Sequence, residues 1–229
     1  MRRLTRIAGT LLIVAGVGSL AWALTVWQWQ DPFTAALNRL DQRGLAHDFD
    51  RRLQAGGPGP ATAGSAHRLL AALPRESADW RRVAKRGDAI ARIRIPALGL
   101  ERIVVDGTDH DSLERGPGRY TGSAMPGEGE LVYIAGHRTT YGAPFSRIDR
   151  LRRGDRVSLE LPYATFEYEV TGSRIVAASQ TSVLKSKGRE QLVLQACHPR
   201  FFATQRYLVY AKPVDVTPRG SDHATSLRS

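Results

Sequence analysis

The chain has 229 residues, 42% of them hydrophobic, a formal charge of +11 and a single cysteine. That length allows one catalytic domain with extensions, and one cysteine excludes an intrachain disulfide framework. The positive charge implies a polyanionic neighbour such as an anionic membrane or wall polymer. No zinc-finger spacing or RNP-like aromatic pattern points to nucleic acid.

Arg2, Arg3 and Arg6 precede an apolar run from Ile7 to Trp29, with Trp22, Trp27 and Trp29 in its second half. This pattern predicts a membrane-spanning helix over 7–29 with an interfacial aromatic belt. The flanking charges put residues 1–6 in the cytoplasm and the remainder outside, as a single-pass signal anchor. The competing reading is a signal peptide cleaved near Ala21-Trp22-Ala23. The apolar run continues past that site through Leu24, Val26 and Trp27, which favours the anchor.

Residues 30–87 read as a partly helical extracellular stalk and linker. Phe33, Ala36, Leu37, Leu40 and Leu45 recur at helical spacing, predicting a helix from Pro32 to about Leu53. Ala55 to Ser65 is a Gly/Pro-rich linker, and two shorter helices are expected at 66–73 and around 80–86. The arginines of this stretch read as a solvated face that also suits anionic lipid or wall polymers.

From Asp88 the pattern becomes short strands separated by turns. Strands are expected over 89–95, 103–105, 131–135, 157–161, 165–171 and 173–178, with two more at 192–194 and 207–211. Short helical turns are expected at 109–115 and 145–151, and a Gly/Pro-rich loop at 116–129. Many short strands predict an all-β barrel or sandwich over 88–216. Thr217 to Ser229 is a polar tail expected to be disordered.

Two strand exits carry chemistry. Cys197 ends the apolar run Leu192-Val193-Leu194, and His137 follows Leu131 to Ala135 through Gly136. A cysteine and a histidine far apart in sequence, each at a strand exit, suit a thiol nucleophile and its acid/base. Arg206, nine positions after the cysteine, opens the next apolar strand. If the last two strands are neighbours, thiol and guanidinium meet at one sheet edge. A metal site built from Cys197, His198 and His137 is disfavoured, because adjacent strand residues point to opposite faces and catalytic zinc wants three converging ligands. No metal or other cofactor is therefore expected. A structural cysteine in a basic, membrane-anchored wall-binding module, or a different cysteine peptidase, are the remaining alternatives.

The stretch Gly136 to Phe145 (G-H-R-T-T-Y-G-A-P-F), the L-x-x-C-x-P run around Cys197 and the Cys-to-Arg spacing together resemble a sortase, the wording around His137 being most similar to class E. The resemblance covers about 88–216. It departs from the usual T-L-x-T-C in placing Val193 and Ala196 where threonines stand. It implies a closed β-barrel of about eight strands with short helices. Cys197 is then the nucleophile, His137 the acid/base and Arg206 the oxyanion or substrate-positioning residue. Tyr120, Ala196 and His198 become candidate substrate contacts. The implied donor is a secreted protein with a C-terminal L-A-x-T-G-like or L-P-x-T-G-like signal, cleaved between Thr and Gly. The implied acceptor is the amine of a cell-wall peptide precursor.

Overall fold

A computed structural model describes residues 2–29, 32–55, 66–219, 221 and 224–227. Three helices come first: α1 (Arg2–Trp29), α2 (Pro32–Gln54) and α3 (Ala66–Val83). The first contains a 20-residue window, Thr5–Leu24, long and apolar enough to cross a bilayer. The Gly/Pro-rich linker expected from Ala55 lies, over 56–65, outside the described residues.

Eight strands then close into a barrel. They are β1 (Ala89–Ile95), β2 (Leu100–Asp106), β3 (Gly118–Arg119), β4 (Leu131–Ala135), β5 (Arg156–Glu160), β6 (Ala164–Ala177), β7 (Gln191–His198) and β8 (Gln205–Pro218), with a short helix α4 (His110–Arg115) between β2 and β3. The strand order is β6-β5-β1-β2-β3-β4-β7-β8, and β8 pairs back onto β6 to complete the ring. Closure leaves no long unpaired edge. A ninth strand, β9 (Thr225–Ser226), pairs with Asp215 and Val216 of β8, so part of the tail expected to be disordered is sheet.

Period-two alternation sets the two faces. Ile93, Ile95, Val104, Ile134, Leu192, Leu194 and Val209 fill the interior together with Phe145, Phe166 and Tyr168. Leu131, Tyr133, Val176, Val193 and Leu208 form a second, outer cluster. The strands expected at 165–171 and 173–178 are one strand. Gly172, at φ +155°, lies at a register shift against β8, where it forms a bulge and not a break. The turn expected over 145–151 is a 3-10 turn at Ile148–Arg150.

The segment read as a stalk is packed against the barrel. Leu45 and Phe49 of α2 are buried with Ala89, Ile103 and Val105. Leu73 and Trp80 of α3 join the main core, and the Trp80 indole N–H donates to the Ile90 carbonyl at 3.1 Å. The two short helices expected there are one helix, with Pro74 inside it. The arginines are not simply solvated. Arg52 reaches Asp88 at 3.3 Å, and Arg92 of β1 pairs with Asp50 of α2.

Candidate active site

Strand pairing brings the three chemical side chains to one end of the barrel. β4 runs parallel to β7 with Ala135 opposite Gln195, and the Gly136 N–H continues the ladder to the Gln195 carbonyl at 2.9 Å. His137, two residues beyond Ala135, is therefore level with Cys197. On the other side β7 is antiparallel to β8, with Cys197 directly opposite Arg206. Directly opposed residues have Cβ atoms about 5 Å apart. Cys197 alternates with Ala196, which is fully buried in the core, so the thiol belongs to the outer face shared with Val193.

The His137 turn is fixed from several sides. A side chain at position 136 would strike the Phe145 ring, whose Cδ2 lies 2.6 Å from where a Cβ would stand, so the approach of strand to loop needs glycine. The Phe145 N–H donates to the His137 carbonyl at 3.1 Å. The Tyr141 ring lies 5.0 Å from the imidazole, and Tyr141 is itself held by a hydrogen bond from its N–H to the Thr34 hydroxyl of α2 at 3.1 Å. Nε2 of His137 is buried with no hydrogen-bond partner among the described residues.

Burial lowers the His137 pKa below its ordinary value. The neighbouring His110 lowers it further and Glu114 opposes. His110 and Glu114 pair with each other at 2.9 Å. Replacing His110 with alanine removes a positive neighbour and releases the Glu114 carboxylate. Both changes favour imidazolium. In a His110→Ala variant, the limb of the pH–rate profile that reports His137 is therefore expected to move to higher pH.

Arg206 uses Nη1 to bond the carbonyls of Ala203 and Gln205, at 2.7 and 2.9 Å, which fixes the guanidinium beside the loop after Cys197. The side chain is half-buried, and its charge reaches Tyr133 on the outer face. Tyr120 packs on the outer cluster and meets Tyr133 edge-to-face at 6.5 Å, which places it beside the same face as Cys197. Ala196 and His198 do not join it. The Ala196 methyl faces the core, which leaves only its backbone for a substrate. The His198 ring turns to Arg138, whose Nη1 lies 2.9 Å from Nδ1.

Two groups went unrecognised in the sequence. Arg138, 5% exposed, donates from Nη1 to the Cys197 carbonyl at 3.3 Å and pairs through Nη2 with Asp149 at 3.0 Å. It thereby ties the histidine turn to the cysteine strand. Its only sequence signal was adjacency to His137. The other group is the buried Arg119–Asp106 pair, at 2.6 Å. Arg119 Nη1 also donates to the carbonyls of Tyr120 and Ser123, which holds the loop that carries Tyr120. Arg119→Met leaves Asp106 buried without its partner. The expected cost is about 3–5 kcal/mol in chemical denaturation, with part of it recovered in Arg119→Met/Asp106→Leu.

Comparison with known proteins shows what the chain and its fold are similar to. A family model described as the sortase domain matches residues 93–214. Sortase D of Bacillus subtilis is 36% identical over 132 residues, covering 56% of this chain and 65% of that protein. Sortase SrtE1 of Streptomyces coelicolor is 30% identical over 160 residues, covering 62% of this chain and 45% of that protein. The matches thus span less than two thirds of these curated relatives. Among solved structures, a Clostridium perfringens sortase D5 transpeptidase superposes with TM-score 0.60 at 25% identity, covering 76% of this chain and 98% of that chain. Sortase E of Streptomyces avermitilis superposes with TM-score 0.54 at 29% identity, covering 63% and 99% respectively.

Proposed function

The chain belongs to the sortase family, and on that premise we propose that it is a cysteine transpeptidase. Its donor is a secreted protein with a C-terminal L-A-x-T-G-like or L-P-x-T-G-like signal. The observation that carries the reading is the register: Cys197 lies opposite Arg206 on one side and level with His137 on the other.

In this mechanism the Cys197 thiolate attacks the Thr–Gly carbonyl and forms a C–S bond. Arg206 N–H groups stabilise the oxyanion that results. The tetrahedral intermediate collapses with cleavage of the C–N bond, and imidazolium at His137 gives its proton to the leaving glycine amine. A thioester on Cys197 remains. The amine of a cell-wall peptide precursor then attacks it, transfers a proton to His137 and expels the thiolate. No metal enters any step. Burial lowers the His137 pKa and so disfavours the imidazolium that the first step needs.

Tyr120, half-buried and packed on the outer cluster of Tyr133, Val193 and Leu208, is the side chain of that face that meets the signal peptide in this reading. In this reading α1 anchors the chain, residues 1–6 are cytoplasmic and the barrel is extracellular. The test is steady-state cleavage of L-A-x-T-G and L-P-x-T-G peptides by Arg206→Ala. We expect a loss of about 10²–10³-fold in kcat, the scale of an oxyanion donor. Wild-type turnover in that variant would remove Arg206 from the mechanism.

A further inference from the structure

Between α2 and the loop that follows His137 lies a cleft of about 200 Å³, lined by Arg39, Arg102 and Arg147 along with Asn38, Gly142 and Ser146. Among the described residues no carboxylate lines it. None of the three arginines has an acidic partner among the described residues. Arg102 donates to the backbone carbonyl of Glu101 at 2.7 Å, and Arg147 to that of Leu98 at 2.9 Å. The Glu101 carboxylate is engaged by Arg92 and Arg94, at 3.5 and 3.4 Å. Burial, and then the charge of Arg39, lowers the Arg102 pKa. Three guanidinium groups, Arg102 half-buried and Arg39 and Arg147 exposed, converge here with no carboxylate among the described residues to neutralise them, and such a site is completed by an anion.

Chain connectivity says where this cleft sits. Thr34, bonded to the Tyr141 N–H at the cleft's edge, is five residues after the end of α1. Five residues reach no more than about 18 Å. The opposite end of the barrel is reached by the far end of α2, where Arg219 bonds the Leu53 carbonyl. Thr34 and Leu53 are about 28 Å apart along the helix. With α1 in a bilayer, the catalytic end is therefore the end tethered closest to the membrane. The same end exposes apolar side chains. Leu37 and Leu40, either side of Arg39 in α2, are 64% and 62% exposed, and Phe202 of the β7–β8 loop is 78% exposed. Arg200 ties that loop to the Ser146 carbonyl at the cleft wall. Arginines ringed by exposed leucine and phenylalanine match the polar–apolar boundary of a lipid surface.

We propose that the Arg39–Arg102–Arg147 cleft binds the phosphate group of an anionic membrane lipid and so holds the catalytic end of the barrel against the bilayer. The lipid as source rests on the reading of α1 as a membrane anchor; the phosphate chemistry of the cleft does not. The full-length chain in dodecyl maltoside is titrated with dioctanoyl-phosphatidylglycerol, dioctanoyl-phosphatidylcholine and inorganic phosphate, with thermal unfolding as the readout. Saturable stabilisation by the phosphatidylglycerol is expected. Arg102→Gln and Arg147→Gln should each weaken it about tenfold, and Arg153→Gln, in the turn before β5, should leave it unchanged. An equal response to inorganic phosphate would overturn the lipid assignment. No stabilisation by either, or undiminished stabilisation in both cleft variants, would overturn the site. Alkaline carbonate extraction of native membranes reads the α1 anchor separately, because the detergent titration does not require α1 to span.

Discussion

Cys197→Ala and His137→Ala should each reduce cleavage of an L-A-x-T-G or L-P-x-T-G peptide by at least about a thousandfold, while leaving the fold intact. Cys197 is half-buried on the outer face, and its truncation opens no core cavity. His137 is likewise only half-buried at the end of its turn. Loss of activity with unchanged thermal unfolding is the expected pair of results. The two effects should not add, because thiol and imidazole act as one unit. A double variant as inactive as either single one satisfies this. Residual turnover near wild type in Cys197→Ala would remove the thiol from the reaction.

The second large effect concerns the boundary of the catalytic unit. Side chains of α2 and α3, which precede Asp88, are packed into the barrel's apolar surfaces. Removing residues 1–87 takes away Leu45, Phe49, Leu73 and Trp80, each no more than 6% exposed, and bares the barrel surfaces they cover. At about 1.5–3 kcal/mol for each large apolar side chain the loss is about 6–12 kcal/mol, against a whole-domain stability of about 5–15 kcal/mol. A chain starting at Asp88 is expected to aggregate or to lose cooperative unfolding. One starting at Pro32 should be soluble and unfold in a single transition. A cooperative, soluble Asp88 chain would show that α2 and α3 are dispensable.

Why the barrel was legible and its clasp was not comes down to range. The strands at 89–95 and 131–135 were readable because β-branched and aromatic residues there are bounded by Gly, Pro and Asp, and this local pattern reports a buried strand. Cys197 and His137 stood out because each sits at a strand exit, and Arg206 because it opens the next apolar strand. Helix α2 was also found, with nearly its observed ends. Its docking was not, because helical spacing shows an apolar face without saying what covers it. Arg52 of that helix looked solvated until Asp88 proved to be its partner. Gly172 was read as a strand break because glycine is permissive, but the pairing of β6 with β8 runs past it as a bulge. Arg138 and the Arg119–Asp106 pair depend wholly on tertiary contacts, so no sequence spacing could have revealed them. Ala196 and His198 were drawn to the substrate by proximity to Cys197, whereas strand alternation turns both side chains away from the cysteine's face.

The most direct measurement is the intact mass of the protein after incubation with a signal peptide in the absence of an acceptor amine. An adduct equal to the peptide through its threonine, located on Cys197 by digestion and discharged by added amine, is the predicted result. Cleavage of the peptide with no mass ever gained at Cys197, or an adduct on another residue, would contradict the acyl-transfer mechanism.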